Sequence, residues 1–109
     1  MAPRLSADFW VGAYMARLMG EGIPAHIVAK GDPTAGAVIV KLATMRGKAS
    51  AWSRATGPEG ETIWSALAED EDETEVDARL SRQRTFDPDL WIVEVEDPRG
   101  RAFLEDSPI

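Results

Sequence analysis

The chain is 109 residues long, the size of one compact domain, and at that length folding buries roughly 65% of the surface an unfolded chain exposes, enough for a core without metals or disulfides. It has no cysteine, which excludes disulfide frameworks, thiolate zinc sites, iron–sulfur clusters and cysteine nucleophiles. The net charge of −7 opposes nonspecific binding to a phosphate backbone, and it divides unevenly, +4 in residues 1–55 against −11 in residues 56–109.

Met1 to Asp8 carries one Arg and no apolar stretch of signal-peptide length, and the longest later apolar run, Ala35 to Val40, is too short to span a bilayer. A cytoplasmic protein without membrane contact is expected. Ser6, Asp8 and the run Phe9 to Met19 predict an N-capped helix with acid in its first turn. Trp10, Tyr14 and Leu18 recur every four residues beside Val11 and Met15, an apolar face for a sheet, until Gly20, Gly22 and Pro24 end the helix.

His26 to Lys30 reads as a short strand, and Gly31-Asp32-Pro33-Thr34 as a turn. Ala37 to Thr44 alternates, with Val38, Val40 and Leu42 on one face and Ile39, Lys41 and Ala43 on the other. After Arg46-Gly47, Lys48 to Arg54 and Thr62 to Ala68 flank the turn Thr56-Gly57-Pro58-Glu59-Gly60. Four strands joined this way predict an antiparallel meander.

Glu69 to Asp77 holds seven carboxylates and is expected to open a second helix reaching Arg84, capped by Asp72 with Glu75, braced by a Glu75–Arg79 pair, and buried only along a narrow stripe of Val76, Leu80 and Gln83 or Phe86. Phe86-Asp87-Pro88-Asp89 then turns into a strand, Leu90 to Glu96. Phe103 and Leu104 are the apolar anchor of a tail that frays from about residue 104. The order α-β-β-β-β-α-β predicts one α+β domain spanning residues 1–109. Its sheet is mixed and mainly antiparallel, its two helices pack on one face, and its last strand lies parallel to a neighbour after a right-handed crossover.

Three constellations have the residue types for chemistry. Asp70, Asp72 and Thr74 resemble the opening of a calcium loop, but Glu75 stands where that loop needs Gly and Ser81 where it needs a bidentate Glu, so no metal or cofactor is expected there. His26 is the only histidine and has no nucleophile motif beside it, which favours a structural role. The segment from Lys30 to Ala37 is the most site-like: Gly31 and Gly36 admit close backbone approach, Thr34 offers a hydroxyl, Asp32 a carboxylate, and Lys30 and Lys41 flank it with positive charge. Asp87 and Asp89 fit a capped turn better than an acid–base pair. Of Trp10, Trp52, Trp64 and Trp91, Trp52 shares its strand face with Ser50 and Arg54 and is the one expected at the surface.

Four segments carry a resemblance: Ala7-Asp8-Phe9-Trp10-Val11; Gly22-Ile23-Pro24-Ala25 on through Val28-Ala29-Lys30-Gly31-Asp32 to Thr34-Ala35-Gly36-Ala37; Arg82-Gln83-Arg84; and Phe86-Asp87-Pro88-Asp89-Leu90-Trp91 to Glu94-Val95-Glu96-Asp97. Together they resemble the alphaproteobacterial family called domain of unknown function 1491. The resemblance implies a cytoplasmic stand-alone domain and brings no activity, cofactor or catalytic residue with it.

The first functional expectation is a noncatalytic binding or regulatory module working through protein–protein contacts, with a protein partner or a second copy of the chain. The alternative is a small anionic-metabolite binder or enzyme, with Lys30, Asp32, Thr34, Gly36 and Lys41 at the ligand and Asp32 or Asp87 as base. Nucleic-acid binding through Lys41, Arg46, Lys48 and Arg54 is disfavoured by the net charge.

Overall fold

In the computed structural model, which describes residues 6–104, the apolar run after Ser6 forms helix α1, Ala7–Gly20. Ser6 stands at the N-cap position, but its hydroxyl donates to the Asp8 carboxylate and makes no backbone cap. The first N–H groups of the helix go instead to the 30–37 loop, Ala7 N–H to Thr34 O and Asp8 N–H to Pro33 O. At the other end Gly22, at φ +73°, closes a Schellman motif: its N–H reaches Met19 O while Ile23 N–H reaches Leu18 O.

Five strands follow the alternating patterns: β1 Ala25–Ala29, β2 Val38–Ala43, β3 Lys48–Thr56, β4 Thr62–Asp72 and β5 Trp91–Glu96, with helix α2, Glu73–Phe86, between the last two. The sheet order is β1-β5-β2-β3-β4. β5 is parallel to β2 and antiparallel to β1, and β2, β3 and β4 form an antiparallel run. The fold is therefore α+β with a mixed, mainly antiparallel sheet and a parallel last strand, as expected. The meander has three strands rather than four, because the 30–37 loop carries the chain past the start of α1 and leaves room for β5 between β1 and β2.

The helices lie on opposite faces of this sheet, which corrects the expectation that they share one. Val38, Val40 and Leu42 of β2 pack with Trp91, Val93 and Val95 of β5 against Trp10, Val11, Tyr14 and Leu18 of α1. The intervening Ile39 and Ile92 pack on the other side with Val76 and Leu80 of α2. Successive residues of a strand point to opposite faces, so β2 and β5 are buried on both, and every residue of β2 is buried.

The acidic run is split. Glu69 to Asp72 stays in β4, because the long β3 supplies partners as far as Lys48 opposite Asp72, with a kink at Asp70, φ 51°. The helix starts only at Glu73, where the Asp72 carboxylate accepts from Glu75 N–H at 3.2 Å. Arg79 does not pair with Glu75; it bonds Leu67 O and the Glu71 carboxylate of β4, which clamps helix to strand.

Past β5 the chain folds back over the α1 face. The buried Asp97 carboxylate accepts from Arg99 N–H, from Arg101 N–H and from the Arg101 guanidinium at 2.8 Å. Ala102 O accepts from the Tyr14 hydroxyl, and Phe103 and Leu104 settle on the α1-side core. Trp52, expected at the surface, is half-buried here beneath the tail. Beyond Leu104, the region expected to fray lies outside the described residues.

Two expected outcomes follow from this architecture. Gly31 packs so closely on the Asp89 carbonyl that an added Cβ would collide with backbone. Gly31→Ala should therefore cost about 3 kcal/mol in urea denaturation, the upper range for overpacking. The Arg101 side chain, working against partial burial, holds the Asp97 carboxyl near about 2, below its ordinary 3.8. A lowered carboxyl stabilises the fold above its unfolded value and loses that contribution as pH falls through its folded value. Wild type should thus lose stability between roughly pH 4 and pH 2, and Asp97→Asn should flatten that part of the profile while raising tryptophan exposure under the tail.

Candidate functional site

The sequence-predicted loop is a structural clasp. Asp32 uses its carboxylate on Thr34 N–H and Ala35 N–H, its N–H on Asp89 O, and its carbonyl on the Trp91 indole at 2.8 Å. Gly31 and Gly36 both lie against the Asp89 backbone. Gly36 N–H goes to Asp32 O, and Thr34 O serves the first turn of α1. Four of the five expected ligand residues, Lys30, Asp32, Thr34 and Gly36, are thus kept together, but their backbone groups face their own protein. Lys41, the fifth, lies in the middle of β2 on the α2 face and is not brought to the loop.

What the α2 face holds instead is a cleft. α2 packs mainly over β3 and β4, touches β5 through Ile92, and stops short of β1, which opens a space of about 610 Å³ between the helix and the edge strand. Its apolar lining comes from Ala29, Leu80 and Ile92, and its polar lining from His26, Lys41, Asp77, Arg84 and Glu94. A cleft of that volume is in the range of small-molecule sites.

Two charged constellations border it. Lys41, with only 3% of its side chain exposed, reaches Glu73 at 2.8 Å, Asp77 at 2.6 Å and Glu94 at 3.0 Å. Burial alone would lower the lysine's pKa, but three carboxylates outweigh it and hold the ammonium well above its ordinary value. The second constellation is His26, Glu94 and Glu96, whose ligand atoms lie within 4.8 Å of one another. His26 and Glu94 are cross-strand partners in β1 and β5, and Glu96 follows two residues on along the same face. The β1–β5 pairing that brings His26 to Glu94 has no local signal in the sequence. At the far wall Arg84 donates to Lys30 O at 3.0 Å, while its buried Nε meets no acceptor.

The fold and cleft define a small α+β domain with one helix on each face of a five-stranded sheet, and comparison gives its family. Residues 5–105 match the family described as Protein of unknown function (DUF1491). The chain belongs to that family. It is similar to a DUF1491 family protein from Caulobacter crescentus CB15, known by crystal structure (41% identity, 93% of this chain and 95% of that one, TM-score 0.83). The NMR structure of a DUF1491 family protein from the same organism is similar at 41% identity, 94% of each chain and a TM-score of 0.82. Protein Atu0922 from A. tumefaciens, a solution structure, is similar at 28% identity over 86% of each chain, with a TM-score of 0.74. No curated protein matches. No helix among the described residues is long and apolar enough to cross a membrane.

Removing the lysine tests the first constellation. Because its partners keep 20–54% of their side chains exposed, Lys41→Met should cost about 2 kcal/mol by urea denaturation at pH 7, less than the ~3–5 kcal/mol of a fully buried orphaned charge. A raised lysine stabilises the fold fully below its ordinary 10.5 and loses that contribution as pH rises through the folded value. The gap between wild type and variant should therefore be flat from neutral pH to about 10 and close only at strongly alkaline pH.

Proposed function

We propose that this domain is a noncatalytic binding module of the cytoplasm that takes an extended, basic segment of a protein partner along β1 and the cleft beside it. The observation that carries the reading is the state of β1. It is an edge strand whose three central residues, His26, Ile27 and Val28, are exposed, and the face behind it is open cleft rather than helix. An edge strand offers unpaired backbone N–H and C=O groups to an incoming strand. Its side chains add an apolar contact, with Ile27 43% and Val28 53% exposed. The break in register between Ile27 and Ala29 limits how far a partner strand extends, which favours a short segment over open-ended sheet growth.

Charge sets the chemistry of that segment. Around the cleft, Glu73, Asp77, Glu94 and Glu96 outnumber Lys41 and Arg84, in a chain of net charge −7. A partner bringing lysine or arginine finds complementary potential, and its association weakens as salt rises. A small anionic ligand is the second reading. It draws on the buried, unpartnered Arg84 Nε at the same cleft and would be held there rather than on the Lys30 to Ala37 loop.

Short peptides alternating β-branched and basic residues, titrated into labelled protein, decide between them. The expected result is chemical-shift change along β1, abolished at high salt and weakened roughly tenfold, about 1.4 kcal/mol, in Val28→Asp. Equal binding by wild type and Val28→Asp would remove β1 from the surface used. Saturable binding of phosphate or carboxylate metabolites that Arg84→Ala abolishes would install the second reading.

A further inference from the structure

We infer that His26, Glu94 and Glu96 form a binding site for one divalent cation of borderline softness, zinc in the first place. The inference goes beyond the partner reading and does not depend on it. Three features converge on it. The first is geometry on a rigid support: two neighbouring antiparallel strands project one imidazole and two carboxylates from the same face, with ligand atoms within 4.8 Å of one another. Bonds of about 2.0–2.2 Å to a tetrahedral ion place ligand atoms roughly 3.4 Å apart, a distance that small rotations of exposed or half-exposed side chains supply.

The second feature is availability. Neither the His26 imidazole nor the Glu96 carboxylate has a side-chain partner among the described residues, and Glu94 meets Lys41 through Oε1, which leaves Oε2 for an ion. The third is charge. Four carboxylates, Glu73, Asp77, Glu94 and Glu96, gather on this face around a single ammonium. Lys41 fills the Glu73–Asp77–Glu94 side of the group, and among the described residues Glu96 with His26 stands on the other side of Glu94 with no ion-paired cation. A second positive charge there offsets the repulsion that one lysine leaves.

The ligand types choose the metal class. One nitrogen and two carboxylate oxygens suit zinc and its first-row neighbours, whereas calcium and magnesium take oxygen alone. Three protein ligands leave a coordination position open, and two of the three, His26 and Glu94, also line the cleft of about 610 Å³. The ion would hold water there or take a carboxylate or imidazole from whatever enters.

The test uses untagged, chelator-treated full-length protein titrated with Zn²⁺ by calorimetry and with Co²⁺ by visible absorption. Because the chain has one histidine, its imidazole nitrogens also give a single set of NMR signals that reads coordination directly. The expected result is one saturable ion per chain, a His26 nitrogen shift on zinc addition, and affinity lowered roughly tenfold or more by His26→Ala and by the isosteric Glu96→Gln. Glu59→Gln in the β3–β4 turn should bind as wild type. No saturable binding of either ion overturns the site. So does binding that survives His26→Ala but is lost in Asp77→Asn, which would place the ion in the lysine's cluster.

Discussion

The structure depends on the parallel pairing of β5 with β2. That pairing puts the last strand in the middle of the sheet, with β1 on one side of it and β2 on the other. A parallel pair in the centre of a sheet must be covered on both faces, and the two helices divide that work, α1 over one set of alternating side chains and α2 over the other. The same insertion moves β1 to the edge, where α2 does not reach, and so creates the cleft. Core, edge and candidate site are consequences of one strand's position.

Lys41 shows what the pairing demands of a charge. It lies at the centre of β2, opposite Glu94 of β5, on the face toward α2. An ammonium at that depth is tolerable only with its charge matched and its donors used, and α2 arrives with Glu73 and Asp77 one turn apart to match it. The lysine therefore acts as an internal counter-ion that fixes how the first turns of α2 sit on the sheet. It also makes Glu94 a shared carboxylate, half committed to the lysine and half facing His26.

Local pattern gave most of the elements. The alternation of Val38 to Ala43 identified β2 and sorted its two faces correctly, and the Asp72–Glu75 spacing located the cap of α2. What local pattern lacks is pairing. Strand order is set by contacts far apart in sequence, so the neighbourhood of β1 with β5, and with it the meeting of His26 with Glu94, was not readable. The assignment of both helices to one face failed for the same reason: a buried alternating strand looks alike whether one face or both are covered until its neighbours are known. The acidic run misled differently, since carboxylates suit a helix N-terminus but tolerate an exposed edge strand equally, and the length of β3 decided the boundary.

The Lys30 to Ala37 and Phe86 to Trp91 segments stood out in the sequence because they concentrate Gly, Pro and Asp, and they turn out to be two halves of one contact. Gly31 and Gly36 let the loop press on the Asp89 backbone, Asp32 receives the Trp91 indole, and the loop's outer carbonyls take the first N–H groups of α1. That clasp sets the entry of β5 into the sheet from the same end at which α1 begins. Residues selected for such close backbone approach look like a ligand cradle in sequence because both uses need a missing Cβ and a bent chain. The difference lies in where the freed N–H groups point, and here they point at the protein. On the face toward α2, the positive first half of the chain supplies His26 and Lys41, and the negative second half supplies the carboxylates of Glu73, Asp77, Glu94 and Glu96 near them. The uneven charge of the sequence is thus resolved by interleaving its halves at the β1–β5–β2 pairings, which leaves a local excess of acid beside the edge strand that α2 does not reach.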